Sequence, residues 1–95
     1  MSRNVLNLSL LRYAILKVLE KGEREPISVL AQLHKAIGDI PDVDKARTNR
    51  YFYFLLTRMR KENLIERGEK GYMLTEKGRE RLRYMDSFVR EVIKW

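Results

Sequence analysis

The order of the secondary structure elements is clearest in residues 53–82, YFLLTRMRKENLIERGEKGYMLTEKGRERL. Apolar residues recur at helical spacing up to Asn63, a residue type that tolerates the left-handed backbone of a helix terminus. Short apolar runs then flank residues 68–71, GEKG, which predicts two strands joined by a glycine-bounded hairpin. Thr75 stands before a further amphipathic segment, where it can cap a helix. The stretch therefore predicts a helix, a hairpin and a second long helix.

The residues before this stretch predict two further helices and the beginning of the third. Apolar residues at three- and four-residue spacings indicate a first helix over about residues 7–21. Pro26 and Pro41 interrupt the pattern, and Ser28 is a candidate cap for a short second helix that ends near Gly38. The third helix covers about residues 44–62. A helix, a short strand, two helices, a strand, a wing, a strand and a helix make a mainly α fold with a small β-hairpin, the winged helix-turn-helix.

The composition indicates one globular domain and excludes several classes of protein. The chain has 95 residues, of which 44% are hydrophobic and 35% charged, which is enough for one core and too little for two. Without cysteine and with a single histidine, His34, we expect no metal site and no cofactor. No apolar run approaches the ~20 residues that span a bilayer, so we expect a cytoplasmic protein with no membrane partner. The acid pairs Glu23 with Glu25 and Glu66 with Glu69 have no accompanying nucleophile, so we expect no enzyme activity.

The positive charge is concentrated in one segment. The net charge is +7, from 20 basic and 13 acidic residues. Residues 45–61 hold six of the basic residues and none of the acidic ones, which leaves 14 basic and 13 acidic residues elsewhere. On a helix, the apolar stripe of this segment turns toward the core and the basic residues face outward. A basic face without compensating acids indicates a nucleic-acid partner.

Three motifs in the sequence resemble those of the PadR-type winged-helix transcriptional regulators. They are YAILxxL at residues 13–19, YxLLxRMxKENLI at residues 53–65 and YxLTEKGRxxL at residues 72–82. The resemblance implies a sequence-specific regulator that binds double-stranded DNA as a homodimer, and the sequence does not identify its operator or a small-molecule effector. It places the helix over about residues 44–62 in the major groove and the wing over about residues 66–72 near the backbone. It also implies a minimal regulator, of the kind common in archaea and their mobile elements.

The candidate DNA contacts lie on the third helix and the wing. Recognition helices read bases mainly with their amino-terminal half, where arginine can bridge guanine and asparagine can bridge adenine. The candidates for base contact are Lys45, Arg47, Thr48, Asn49, Arg50 and Tyr51, and those for phosphate contact are Arg58, Lys61, Arg67 and Lys70. Two orientations stay open: Thr48 can point into the core, and Phe54 can touch a thymine methyl or pack against the first helix. His34 is expected to be a surface or boundary residue of the second helix, and the sequence identifies no neighbouring partner for it.

The last helix predicts self-association. It carries one apolar stripe around Leu82 that can close on the core and a second around Phe88 that has no predicted partner within the chain. Residues 79–95 are therefore expected to continue the single domain, 1–95, as a dimerisation helix that meets the amino-terminal segment of a second copy. The predicted interface comprises Val5, Leu6, Leu8, Phe88, Val92 and Trp95.

The basic face also fits two other kinds of partner. Winged helices serve as protein-interaction modules in transcription and other nucleoprotein complexes, in which case this face would meet an acidic protein surface. Binding to RNA or single-stranded DNA would instead use stacking aromatics, which normally lie on a sheet or in a groove. Retention on DNA, co-purification of a protein and strand preference distinguish the three hypotheses.

Overall fold

A computed structural model describes residues 8–37 and 45–93 of the chain. Its elements are α1 (Leu8–Glu20), α2 (Pro26–Ile37), α3 (Lys45–Lys61), β1 (Ile65–Arg67), β2 (Tyr72–Leu74) and α4 (Glu76–Ile93). The expected short strand between α1 and α2 is a single β-bridge, in which Arg24 pairs with Tyr72. The mainly helical architecture with an antiparallel hairpin is otherwise the one that the sequence predicts.

One apolar core joins the helices to the hairpin. Each element contributes the side chains that its periodicity turns inward, because burial of apolar surface is the main favourable term in folding. The buried apolar residues are Leu11, Ile15, Leu16 and Leu19 of α1, Val29 and Leu33 of α2, Phe52, Leu55, Leu56 and Met59 of α3, Leu64, Ile65 and Leu74 of the hairpin, and Leu82 of α4. The core therefore fixes one face of α3 and leaves the opposite face outside.

The carboxy-terminal end of α3 and the amino-terminal end of α4 follow the predicted signals, whereas the beginning of α2 does not. Asn63 has a φ of 63°, and the Leu64 amide donates to the Met59 carbonyl at 3.0 Å, which is the termination expected at a left-handed residue. Thr75 caps α4, since its Oγ1 accepts from the Gly78 amide at 3.0 Å. The predicted cap at Ser28 is wrong. Helix α2 begins at Pro26 because proline suits the first helical position, where no amide hydrogen is needed.

The hairpin is tied to the connection between α1 and α2. Arg24 and Tyr72 exchange backbone hydrogen bonds of 3.0 and 2.8 Å. The Glu23 carboxylate accepts from the amides of Lys70 and Gly71, the latter at 2.7 Å. A Cβ on Gly71 would come within 2.6 Å of the Glu25 amide nitrogen, so the close approach requires glycine. These contacts fix the hairpin relative to the helices.

A polar cluster joins α1 to α4. The Tyr13 hydroxyl donates to Asp86 Oδ1 at 2.6 Å, and Lys17 Nζ lies 3.2 Å from the same oxygen. The hydrogen bond from Tyr13, followed by the bond from Lys17, lowers the pKa of Asp86. The same bond to Asp86 raises the pKa of Tyr13. Arg12 pairs with Glu62 just beyond α3, so α1 is linked by charged contacts to the two longest helices.

Candidate nucleic-acid interface

Helix α3 separates its residues into a buried stripe and an exposed basic face. Phe52, Leu55 and Met59 are buried on the stripe, which orients the helix about its own axis. A rotation of roughly 100° per residue then places Arg50 and Lys61 on the side opposite the core. No acidic residue lies within the helix to offset this face.

The amino-terminal half of α3 forms an aromatic and cationic cleft. Arg47, Arg50, Tyr51 and Phe54 line a shallow cleft of about 480 Å³. The two guanidinium groups supply donors with the planar geometry that suits guanine edges and phosphates. The structure thus brings together three of the predicted base-contact residues, Arg47, Arg50 and Tyr51, on one open surface.

Thr48 is not available to DNA, which corrects its inclusion among the base-contact residues. Its exposure is 0%, because its position on the helix falls between residues that pack into the core. A side chain with a small volume and a methyl group fits there. The orientation left open by the sequence is therefore settled in favour of the core.

Phe54 is exposed on the outer face of α3. Its side chain is 51% exposed and lines a second cleft with Thr57, Arg58 and Lys61. An exposed aromatic ring between basic residues offers an apolar surface for a sugar or a thymine methyl. Position 54 therefore belongs to the exposed face, although the sequence alone left two orientations open.

Asn49 and His34 form a contact that was not predicted. His34 Nε2 lies 2.6 Å from Asn49 Oδ1, and both side chains are half-buried. His34 therefore lies at the boundary of α2, as the sequence predicts, and it contacts α3, which the sequence did not indicate. Its spacing along α2 gave no indication of this, because residues 34 and 49 meet only when α2 packs against α3.

The later basic residues of α3 differ in their surroundings. Arg58 Nε lies 3.7 Å from Glu62 Oε2, so its charge is partly compensated by an acid one turn away. Lys61 is exposed at the end of the helix. Lys45 is the first residue of α3. Arg58 and Lys61 remain candidates for phosphate contact.

The wing is short and carries both positively and negatively charged side chains. Arg67 lies over the Tyr72 ring, with its guanidinium carbon 5.9 Å from the ring centroid, and its charge stays exposed. Lys70 is also exposed, while its backbone amide is held by Glu23. Glu66 and Glu69 are exposed beside them. The hairpin can offer at most two cations to a phosphate backbone, among two anions.

The outer face of α4 carries two exposed aromatic side chains. Phe88 is 64% exposed and Tyr84 is 73% exposed. They are four residues apart and therefore adjacent on the helix surface, opposite the buried Leu82. The sequence predicted Phe88 for this surface and missed Tyr84, although the i,i+4 spacing could have indicated it.

The other predicted interface residues are only partly covered by the structure. Val5, Leu6 and Trp95 lie outside the described residues. Leu8 begins α1, and Val92 lies in the last turn of α4.

Within residues 8–37 and 45–93, no group of three acidic or histidine side chains could hold a metal ion. No helix in the same described ranges is long and apolar enough to cross a membrane.

The chain is similar to the crystal structure of Bacillus subtilis PadR, with a TM-score of 0.67 and 26% sequence identity. The similarity covers 82% of this chain and 42% of PadR, so the chain spans less than half the length of that protein. No protein-family model and no curated protein sequence matches the chain. The similarity confirms the fold predicted from the order of the elements and from the motifs.

Proposed function

Since the chain is a PadR-like winged helix-turn-helix protein, we propose that it is a cytoplasmic transcription regulator that binds specific sites in double-stranded DNA. Helix α3 is the recognition helix and lies in the major groove. Arg47, Arg50 and Tyr51 face the base edges. Lys61 and Arg58 contact phosphates at the margin of the groove. The wing adds Arg67 and Lys70 near the backbone.

The observation that carries this proposal is the acid-free outer face of α3. Burial of Phe52, Leu55 and Met59 leaves the helix only one way to present its basic residues. DNA presents about one negative charge per 1.7 Å of duplex, and an outward row of cations without acids matches that surface. A face that contacts only solvent usually carries charges of both signs.

We also propose that two copies bind together. Tyr84 and Phe88 on the outer face of α4 are 73% and 64% exposed in the single chain, and a second copy would cover them. A two-fold dimer carries two recognition helices about 34 Å apart, which is one turn of DNA. The site is then palindromic, with half-sites about 10 base pairs apart.

Selection from a random duplex library tests the proposal. The protein should enrich one palindromic site, and its log affinity should fall with log salt by about 0.9 for each phosphate contact. The same site as a single strand should bind more weakly. A protein that enriches no duplex, or binds duplex DNA with no dependence on salt, contradicts the proposal. Strong preference for single strands, or capture of an acidic protein instead, would favour one of the other two partners.

A further inference from the structure

Phe54 separates the two clefts on the outer face of α3. It lines the amino-terminal cleft beside Arg50 and the second cleft beside Lys61, and its ring is half exposed. Arg50 precedes it by four residues and Lys61 follows it by seven, so the three side chains share one ridge of the helix. This ridge lies opposite the buried stripe, and it carries an apolar ring between two cations.

The position of Phe54 on this ridge decides which part of a duplex it meets. When a helix lies in the major groove, the ridge farthest from the protein core reaches the floor, where the base edges lie. The flanks of the helix lie nearer the sugars and phosphates of the walls. Thr57, the next residue along the ridge, donates its hydroxyl to the Tyr53 carbonyl at 3.3 Å, so that hydrogen is used within the helix. A base edge at this point therefore meets the ring of Phe54.

The chemistry of the base edges decides which base suits such a ring. A hydrocarbon ring covers polar groups without replacing their hydrogen bonds to water, and this is costly. Guanine and adenine present only hydrogen-bonding groups in the major groove, and cytosine presents an amino group. Thymine adds a C5 methyl group, which is apolar and can be covered without that cost. In a modified duplex, 5-methylcytosine carries the same methyl group.

We propose that Phe54 is a specificity-determining residue that reads the C5 methyl group of a pyrimidine, which is thymine in unmodified DNA. The inference rests on the proposed function and extends the reading surface beyond Arg47, Arg50 and Tyr51. About one turn of α3 separates Phe54 from Arg50, or ~6 Å along the helix axis, and successive base pairs of DNA lie ~3.4 Å apart. The methyl group therefore lies within about two base pairs of the base that Arg50 reads.

Removal of single methyl groups from the selected duplex tests this inference. Each thymine is replaced in turn by deoxyuridine, which lacks the methyl group and keeps every hydrogen-bonding group of the base. One replacement in a half-site should weaken the wild-type complex by roughly 3- to 5-fold, the effect of covering one methyl group. Phe54→Ala should bind the thymine and deoxyuridine duplexes equally at that position. Tyr53→Ala, which removes an exposed aromatic side chain outside both clefts, is the matched control and should keep the preference.

Methylation of cytosine supplies the opposite test, a gain of affinity. The sensitive thymine–adenine pair is replaced by cytosine–guanine, and the duplex is compared with and without a methyl group on C5 of that cytosine. Methylation should strengthen the wild-type complex by roughly 3- to 5-fold and leave the Phe54→Ala complex unchanged. An equal gain in both proteins, or no gain in the wild-type protein, would overturn the assignment.

The outcomes separate this inference from the proposed function. If the protein binds no specific duplex, both are overturned. If specific binding persists but no deoxyuridine replacement weakens it, only the inference is overturned. The same holds if the effect of deoxyuridine remains in Phe54→Ala or disappears in Tyr53→Ala. A Phe54→Ala variant that weakens the selected and random duplexes equally has lost a contact to sugars, and this too overturns the inference.

Discussion

The carboxylate of Asp86 connects α4 to α1. It accepts from Tyr13 at 2.6 Å and pairs with Lys17 at 3.2 Å. These partners lower its pKa, so the folded chain binds the Asp86 proton less tightly than the unfolded chain does. The stability that this difference supplies is present above about pH 4 and is lost as the pH falls through the lowered value.

We expect the Asp86→Asn variant to be less stable at neutral pH by about 1–2 kcal/mol. The difference from the wild-type protein should shrink as the pH is lowered below about 4, because the wild-type carboxylate is then protonated. Urea unfolding at pH 7, 5 and 3 measures it. Glu80→Gln, the same change at an exposed position of α4, is the matched control and should have little effect. A constant difference at all three pH values would contradict this account.

The hairpin is stabilised by a contact between one side chain and two backbone amides. Glu23 accepts from the Lys70 and Gly71 amides and so occupies the donors at the tip of the wing. Glu23→Ala should expose these two amides and lower the free energy of unfolding by about 1–3 kcal/mol. Hydrogen exchange should show loss of protection at Lys70 and Gly71, with the core helices less affected. Glu25→Ala, an exposed neighbour, is the control. Equal protection in the Glu23→Ala variant and the wild-type protein would refute the proposed anchor.

The elements were predictable to the extent that their signals are local. The end of α3 at Asn63 and the cap at Thr75 depend on residues within one turn, and the sequence located both. The predicted cap at Ser28 is wrong because Pro26, two residues earlier, suits the first position of a helix. The helix α2 begins at that proline. The contacts of Glu23 with the wing and of His34 with Asn49 join residues far apart in the chain. No periodicity encodes such pairs, because they depend on how the elements pack.

At the scale of the whole molecule, the exposed face of α4 predicts a dimer. Phe88→Glu should dissociate the dimer and leave the helix content nearly unchanged, because Phe88 is 64% exposed in the single chain. Sedimentation equilibrium and circular dichroism measure the two effects. Ser87→Glu adds the same charge at the neighbouring position and should leave most of the association intact. A wild-type protein that stays monomeric at high micromolar concentration would contradict the prediction, as would unfolding of the Phe88→Glu variant.

The two ends of α3 should contribute to DNA binding in different ways. Arg50 lies in the cleft with Tyr51 and Phe54, where it can read bases, whereas Lys61 stands at the carboxy-terminal end of the helix, where it can reach phosphates. Removal of a base contact weakens the specific complex, while removal of a phosphate contact weakens every complex. Removal of one positive charge at each position therefore distinguishes recognition of bases from electrostatic attraction to phosphates.

The most direct measurement is the ratio of the affinity for the selected duplex to the affinity for a random duplex, at one salt concentration. We expect a ratio of at least about 10³ for the wild-type protein. Arg50→Ala should reduce the ratio by roughly 5- to 150-fold, and Lys61→Ala should weaken both complexes and leave the ratio unchanged. A wild-type ratio near one, or equal ratios for the wild-type protein and Arg50→Ala, would contradict the claim that α3 reads specific DNA.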